Sequence, residues 1–303
     1  MTTNGLLLGA ETFLDSDDDP AALAQEHVRL GYTAALCPPS ESGDAERIRA
    51  IRLAFQEAGV IIAEVGAWRN LMTPDETQRR KNLQYVIEQM AMADEVGARC
   101  CVNVAGSCDG ASRSGPHPDN LSQEFFDATV ENCRRIIDTV RPVRSFFAIE
   151  MKGWSLPDGP DSYLDLIRAV DRGAFAVHLD PINAINCPSR YYHNGAFIEE
   201  CFRKLGRWIR SCHAKDLVWV NDGALHFEEA IPGRGGIDFR RYLQQVVAAG
   251  VPLIIEHLDG PIEYAEAWQF LTSLAGELRP LPPSGTDCAP ISETDLGGAR
   301  CGI

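Results

Sequence analysis

The sequence predicts a single-domain α/β protein folded as a closed (β/α)8 TIM barrel. Eight short apolar runs each precede a segment with helical periodicity, and eight strand–helix units are the number that closes such a barrel. Several helical segments end in glycine just before the next run, as short helix-to-strand connections require. A chain of 303 residues fits one domain, because such barrels routinely exceed about two hundred residues.

The predicted elements alternate along the whole barrel. The predicted strands are Leu6–Phe13, Ala34–Cys37, Ile61–Trp68, Arg99–Ala105, Phe146–Met151, Phe175–Asp180, Ile209–Lys215 and Leu253–Leu258. The predicted helices are Ala21–Leu30, Asp44–Ala58, Pro74–Val96, Ser122–Val140, Asp161–Asp171, Ala196–Leu205, Phe239–Ala249 and Ile262–Leu274. Helix-ending glycines are predicted at Gly31, Gly59, Gly97, Gly173, Gly206 and Gly250.

The third helix carries the clearest start signal. Thr73 is predicted as its N-cap, with Pro74 at the first helical position. Glu76 would complete a capping box with Thr73.

The helix-ending glycines lie on one face of the predicted barrel. On the other face, where the strands end, two connections are long, and long loops at this face are usually functional lids. Residues 106–120 form one, and residues 216–236 form the other, with the hairpin signal Asn221-Asp222-Gly223 followed by a glycine-rich stretch.

Residues 1–278 are assigned to the barrel. The Pro/Gly/Ser-rich residues 279–303 are predicted to be a tail that is disordered or packs on a neighbouring subunit.

Composition excludes several classes of partner. With 43 acidic and 28 basic residues, the formal charge of −15 would repel a nucleic-acid backbone. No apolar stretch reaches the length of a membrane span, and no basic cluster precedes the first apolar run as in a secretory signal. Ten cysteines without a C-x-x-C pair, several of them in apolar runs, are predicted to be buried thiols in a reducing cytoplasm.

Four ionisable residues fall at the C-terminal ends of the last four strands: Glu150, Asp180, His213 and Glu256. Neighbouring strands lie roughly 5 Å apart, so these side chains should project into one small volume. Each could be an ordinary polar residue of an ion-pair network, but four at matched strand ends favour a divalent metal ion. Oxygen donors with one imidazole suit manganese, which is preferred, or magnesium, cobalt or zinc.

Four short motifs contain these residues: Ala148-Ile149-Glu150, His178-Leu179-Asp180-Pro181, Cys212-His213-Ala214-Lys215-Asp216 and Ile255-Glu256-His257. Through them the chain, from Leu6 to about Leu274, resembles the xylose-isomerase-like superfamily of sugar isomerases and epimerases. The resemblance implies that the four matching positions bind the metal. It also implies that Glu150 and Glu256 serve as acid and base on opposite faces of a ketose.

Two positions depart from the pattern of the ketose 3-epimerases in this superfamily. Those enzymes have a histidine three residues after the metal aspartate and an arginine six after the metal histidine, where this chain has Asn183 and Trp219. Two segments are more similar to the branch that contains catalytic subunits of C-glycoside deglycosidases: Gly115-Pro116-His117-Pro118-Asp119-Asn120 and His178-Leu179-Asp180-Pro181-Ile182-Asn183.

The resemblance implies one first chemical step with several outcomes. The metal would chelate a carbonyl and an adjacent hydroxyl, and so stabilise the enediolate formed when a carboxylate removes the neighbouring proton. Reprotonation on the opposite face gives an epimer, and reprotonation at the next carbon gives an isomer. Expulsion of a β substituent gives the lyase product of a 3-oxo-glycoside. An isomerase or epimerase is preferred because the superfamily contains more of them, and the branch resemblance favours the lyase.

Three charged or titratable residues are further candidates for the site. His117 could protonate a leaving group or bind a hydroxyl, or it could be a solvated loop residue. Lys215 could stabilise an enolate oxygen or pair with a barrel carboxylate. Arg234, between glycines, could close over the substrate or cap the seventh helix.

Substrate binding is also assigned to Trp68, Trp154 and Asn183. Either tryptophan could stack on a sugar ring or simply pack against its neighbours. His178 lies one layer below Asp180 and is predicted to be a buried core histidine.

Two other function classes fit the sequence less well. Apurinic endonucleases of the superfamily use a metal cluster with several histidines, whereas here His213 alone occupies a clear ligand position. A non-catalytic binding barrel would have lost its metal or base carboxylates, which are all present. The expected partners are a small carbohydrate or glycoside, with no nucleic acid or membrane, in a homo-oligomer or a complex with a small accessory subunit.

Overall fold

Eight parallel strands close into a barrel in the computed structural model, which describes residues 4–14, 19–40, 43–221 and 224–278. Two more strands form an antiparallel hairpin between the last two barrel strands. The barrel follows chain order and its last strand pairs with its first, so the predicted barrel is confirmed. The strands are β1 Leu7–Gly9, β2 Ala34–Leu36, β3 Ile61–Gly66, β4 Cys100–Val104, β5 Phe146–Glu150, β6 Phe175–Leu179, β7 Ile209–Ala214, β8 Asp216–Asn221, β9 Leu225–Ala230 and β10 Pro252–Ile255.

Nine helices lie in the described part of the chain, and eight of them match the predicted helices within a few residues. The ninth is the short α6, which the periodicity did not indicate. None of the helices in the described ranges is long and apolar enough to span a membrane. The helices are α1 Pro20–Arg29, α2 Ala45–Ala58, α3 Glu76–Val96, α4 Gln123–Val140, α5 Pro160–Val170, α6 Pro188–Tyr192, α7 Asn194–Leu205, α8 Phe239–Ala249 and α9 Gly260–Glu277.

The prediction for the start of α3 is wrong by two residues. Asp75, not Thr73, is the N-cap, because its carboxylate accepts the free backbone N–H of Gln78. Thr73 is buried instead, and its carbonyl oxygen accepts a hydrogen bond from the Arg79 side chain.

Four of the six glycines predicted to end helices have the left-handed conformation expected there: Gly31, Gly59, Gly97 and Gly250. The prediction for Gly173 is wrong, because Asp171 takes the left-handed position after α5, with φ 48°. Gly206 has φ −46° and continues from α7 into a short 3₁₀ turn.

The hairpin β8–β9 confirms the turn signal in the sequence, although turn residues 222 and 223 lie outside the described residues. Its base is held by Asp216, which is buried. The Asp216 carboxylate accepts backbone N–H groups from the hairpin and from the glycine-rich loop that follows. The four donors are Leu217, Gly233, Gly235 and Ile237.

The apolar core fills the layer between the barrel and its helices. All eight described cysteines are free, and five of them are buried, as the sequence predicts for thiols. Inside the barrel, Ala34, Ala63 and Ile254 form a small separate cluster of buried apolar residues. Residues 279–303, predicted to be a tail, lie outside the described residues.

Gly9 offers a test of the barrel closure. A Cβ at this position would lie 2.2 Å from the carbonyl oxygen of Ala34, so Gly9→Ala would push β1 away from β2. We expect a loss of about 1–3 kcal/mol in the free energy of unfolding, measured by urea titration. Gly173→Ala is the control, since a Cβ there meets nothing within 4 Å. Equal losses for the two variants would contradict this account of β1 packing.

Candidate active site

The structure brings together the four residues predicted at the strand ends. Glu150 ends β5, Asp180 follows β6, His213 lies in β7 and Glu256 follows β10. One ligand atom from each lies within 4.8 Å of the corresponding atoms of the other three. The side chains are buried, with Glu256 the most exposed at 15%. This cluster could hold a metal ion.

Two buried atoms of the cluster, His213 Nδ1 and Asp180 Oδ2, form no hydrogen bond of good geometry, although Asp180 Oδ2 has Lys215 Nζ 2.9 Å away as an ion-pair partner. His213 Nδ1 lies 2.9 Å from Glu256 Oε2 and 3.3 Å from Glu150 Oε1. A buried group without a hydrogen bond is costly, whereas lone pairs that converge from several carboxylates and an imidazole are what a divalent cation binds. The residues present therefore fit a metal ion.

Lys215 partly balances the negative charge of the cluster. Its Nζ lies 2.9 Å from both Asp180 Oδ2 and Glu256 Oε1, and 3.1 Å from Glu229 Oε1. Burial alone would lower the pKa of Lys215, but Asp180 and Glu256 raise it well above its ordinary value. Of the two roles open for Lys215 in the sequence, pairing with barrel carboxylates is the one seen in the structure.

Beneath the cluster lies Glu64, a residue that the sequence analysis missed. Glu64 is fully buried in β3, with its carboxylate oxygens 3.0 Å from His213 Nε2 and 3.1 Å from His178 Nδ1. Burial raises the pKa of Glu64, but His178 and His213 outweigh burial and lower it to about 2. Glu64 also accepts the hydroxyl of Ser211. With Nε2 held by Glu64, His213 turns Nδ1 toward the cluster.

His178 is fully buried, as predicted, and its ring lies 4.1 Å from that of His213. A signal for Glu64 did exist in the sequence, because it is the one carboxylate inside the otherwise apolar run Ile61–Gly66.

A cavity of about 310 Å³ opens above the cluster. Trp68, one of the predicted substrate-binding residues, lines it, and its ring lies 6.4 Å from that of His213. The lining also includes Arg113, Lys152 and His257, to which the sequence analysis gave no role. A larger cleft of about 800 Å³ lies on the outer surface between α3 and α4, away from all four cluster residues.

His257 connects the cavity to the hairpin. It follows Glu256 directly and has φ 60°, a left-handed conformation that is unusual for histidine. Its Nδ1 lies 2.7 Å from Glu229 Oε2 on β9, and this hydrogen bond raises the pKa of His257. Because Glu229 also contacts Lys215, the hairpin is tied to the cluster at two points.

The other predicted substrate-binding residues lie nearby or at the edge. The Trp154 indole N–H donates to the carbonyl of Ser114, which lines the cavity. The backbone N–H of Asn183 donates to Asp180 Oδ1, while its buried side-chain nitrogen has no partner.

Two predicted residues are outside the lining of the cavity. The Arg234 guanidinium forms a two-point ion pair with Glu266, and His117 Nδ1 accepts the backbone N–H of Asp119. Their roles in binding or catalysis stay predictions.

Residues 24–274 match the family model of the xylose isomerase-like TIM barrel. No curated protein matches the chain in sequence. One similar structure is a xylose isomerase-like TIM barrel protein from Mycobacterium smegmatis in complex with magnesium, at 16% identity over 91% of this chain and 98% of that chain, with a TM-score of 0.62.

Two further structures show the range of enzymes that share this fold. The chain is similar to a 3-keto-D-glucoside 4-epimerase from E. coli in its apo form, at 12% identity over 88% of this chain and 99% of that chain, with a TM-score of 0.61. It is also similar to endonuclease IV from Thermus thermophilus, at 16% identity over 89% of this chain and 99% of that chain, with a TM-score of 0.67. At these identities the likeness establishes the fold alone.

Lys215 allows the charge balance of the cluster to be tested. In metal-free protein, Lys215→Met would leave Asp180 and Glu256 buried without this cation, so we expect a loss of about 3–5 kcal/mol in the free energy of unfolding. Lys204→Met is the matched control, because Lys204 pairs with Asp161 and Glu200 at the surface and should contribute less than about 1 kcal/mol. Urea unfolding in the presence of a chelator measures both, and equal losses would contradict the charge balance.

Proposed function

Because the chain belongs to the xylose isomerase-like TIM barrel family, we propose that it is a divalent-metal-dependent sugar isomerase or epimerase. Its substrate would be a ketose or another oxo-sugar, with a carbonyl beside a carbon that carries a proton and a hydroxyl. The proposal depends mainly on one observation: Glu150 and Glu256 line the same cavity, and each borders on His213 Nδ1.

Glu150, Asp180 and Glu256 would hold the ion through carboxylate oxygens, and His213 would hold it through Nδ1. Three oxygen donors with one imidazole favour Mn²⁺, and Mg²⁺, Co²⁺ and Zn²⁺ also accept such donors. The similar protein from Mycobacterium smegmatis, which was solved with magnesium, supports a divalent ion. When bound, the ion would supply a Lewis acid that polarises the carbonyl and offsets developing negative charge.

Glu150 is the proposed base. Its Oε1 lies 3.3 Å from His213 Nδ1, whereas its Oε2 lies 2.6 Å from Nζ of Lys152, which also lines the cavity. Oε2 can therefore take the proton from the substrate carbon while the electron pair of that bond moves to form the enediolate. Glu256 would return a proton. Delivery to the opposite face gives an epimer, and delivery to the neighbouring carbon gives an isomer.

A second candidate is a lyase of the C-glycoside deglycosidase type, which would cleave a 3-oxo-glycoside by enolisation and β-elimination. The similarity of residues 115–120 and 178–183 to that branch favours it. The E. coli structure, named as an epimerase of a 3-keto-D-glucoside, is compatible with both candidates because each would begin by enolising an oxo-sugar.

An endonuclease function is less well supported than either sugar reaction. The formal charge of −15 opposes binding to a phosphate backbone, and the cluster contains one histidine.

Two further predictions from the sequence stay predictions. One is assembly into a homo-oligomer or with a small accessory subunit, and the other is a cytoplasmic location. Light scattering of the purified chain would test the assembly, and a monomeric mass would contradict it.

Solvent exchange tests the proposed function directly. The protein would be stripped of metal, reloaded with Mn²⁺ and incubated in deuterated water with a panel of ketoses and 3-oxo-glycosides, followed by NMR. We expect exchange of a proton next to the carbonyl of at least one substrate. Because each carboxylate would carry a proton, Glu150→Gln and Glu256→Gln should each slow exchange by about 10²–10⁴-fold.

Glu131→Gln, an exposed change on α4, is the matched control and should exchange at the wild-type rate. The product spectrum separates an epimer, an isomer and a released aglycone. Absence of exchange across the panel, in protein that binds Mn²⁺, would contradict the proposed function.

A further inference from the structure

The cluster that could hold the metal ion occupies one half of the barrel mouth. Its four residues come from the ends of β5, β6, β7 and β10, which are consecutive strands of the closed barrel. The far end of a substrate whose carbonyl lies at this cluster therefore faces the other half, over β1 to β4. The cavity extends into that half, because Leu36 of β2, Trp68 after β3 and Arg113 after β4 all line it.

Three basic side chains outside the cluster line the cavity, and two of them already have a carboxylate partner. Lys152 Nζ lies 2.6 Å from Glu150 Oε2, and His257 Nδ1 lies 2.7 Å from Glu229 Oε2. The third is Arg113, an exposed residue. Within the described ranges, its guanidinium forms neither an ion pair nor a hydrogen bond. Arg113 is therefore the cation of the lining that is open to a ligand.

The loop that carries Arg113 is tied down on both sides of this residue. Asn70 Nδ2 donates to the carbonyl oxygen of Ser112 at 3.1 Å, and Trp154 Nε1 donates to the carbonyl oxygen of Ser114 at 2.6 Å. The backbone at Arg113 is thus held against elements that follow β3 and β5. A cation whose backbone is held at the edge of a cavity loses less conformational freedom when it binds a ligand there.

The charge and the size of the cavity favour a carboxylate as the partner of Arg113. A guanidinium presents two parallel N–H groups that match the two oxygens of a carboxylate. A phosphate dianion would be repelled more strongly than a carboxylate by Glu11, which lines the cavity beyond β1. The volume of about 310 Å³ is small for a ligand pocket and suits a single sugar unit.

We propose that the substrate is an oxo-sugar with a carboxylate at the end remote from its carbonyl, and that Arg113 binds this carboxylate. This inference rests on the proposed function and narrows its substrate class to sugar acids. Arg113 would hold the end that does not react, so it should contribute equally to binding of the substrate and of the transition state. The simpler alternative, a solvated loop arginine, predicts no preference for acids.

Binding to Mn²⁺-loaded protein distinguishes these alternatives by calorimetry. The probes are D-fructuronate and D-tagaturonate, and their neutral counterparts are D-fructose and D-tagatose, which have a hydroxymethyl group in place of the carboxylate. D-Fructose 6-phosphate supplies a phosphate at the same end. The proteins are wild type, Arg113→Gln, Arg113→Lys and Arg203→Gln. Arg203 is exposed on α7, outside the cavity lining, and provides the matched control.

We expect at least one acid to bind wild type and Arg203→Gln about tenfold or more tightly than its neutral counterpart, because charge-assisted hydrogen bonds are added. Arg113→Gln should lose this preference without weaker binding of the neutral ketose, and Arg113→Lys should recover part of it. Thermal unfolding and Mn²⁺ titration verify that each variant is folded and loaded.

Two results would overturn the proposal. One is equal binding of the acids by Arg113→Gln and Arg203→Gln, and the other is no binding of either acid by wild type. A preference for D-fructose 6-phosphate over both acids that depends on Arg113 would overturn the assignment to a carboxylate.

Solvent exchange with the two acids added to the panel separates this inference from the proposed function. If an acid exchanges, Arg113→Gln should raise its KM about tenfold with little change in kcat. If neutral ketoses exchange and the acids do not, the inference fails and the proposed function stands. If the acids bind through Arg113 and no member of the panel exchanges, the proposed function fails and Arg113 is retained as a carboxylate contact.

Discussion

Repulsion among three buried carboxylates is the constraint on which the site depends. Glu150, Asp180 and Glu256 follow neighbouring parts of one closed barrel, so its geometry gives them no room to separate. Two like charges about 4 Å apart repel by about 4 kcal/mol even at an effective dielectric constant of about 20. The buried ammonium of Lys215 offsets part of this repulsion. His213 Nδ1 and Asp180 Oδ2 form no hydrogen bond, and a metal ion bound to them would offset more of it.

The residues that balance this charge lie in the short stretch that joins β7 to β8 and in the side chains packed around it. His213, Lys215 and Asp216 lie within four positions, and they respectively join the cluster, neutralise it and hold the base of the hairpin. Below them Glu64 fixes the orientation of the imidazole. Beyond them Glu229 connects Lys215 and His257, so the hairpin outside the barrel is held by the same electrostatics as the site.

Sequence reasoning identified the four cluster residues because they share one simple property: each stands at the C-terminal end of a strand, and parallel strand ends meet at one edge. Glu64 was missed because it lies inside a strand, where inward orientation depends on register, and β2 and β3 shift register at Ala35/Leu36. Lys152 was missed because it follows β5 in a turn whose direction no periodicity encodes. The cap of α3 was misjudged because Thr73 and Asp75 are both good caps, and only the observed packing of Thr73 decides between them.

The central claim is that these four side chains bind one divalent cation. The most direct test is diffraction from crystals of stripped protein soaked in Mn²⁺, with data collected near the manganese absorption edge. The account predicts one strong anomalous peak in contact with Glu150, Asp180, His213 Nδ1 and Glu256, absent from crystals of Asp180→Ala treated in the same way. No peak in the wild-type barrel mouth, or an undiminished peak in the variant, would contradict it.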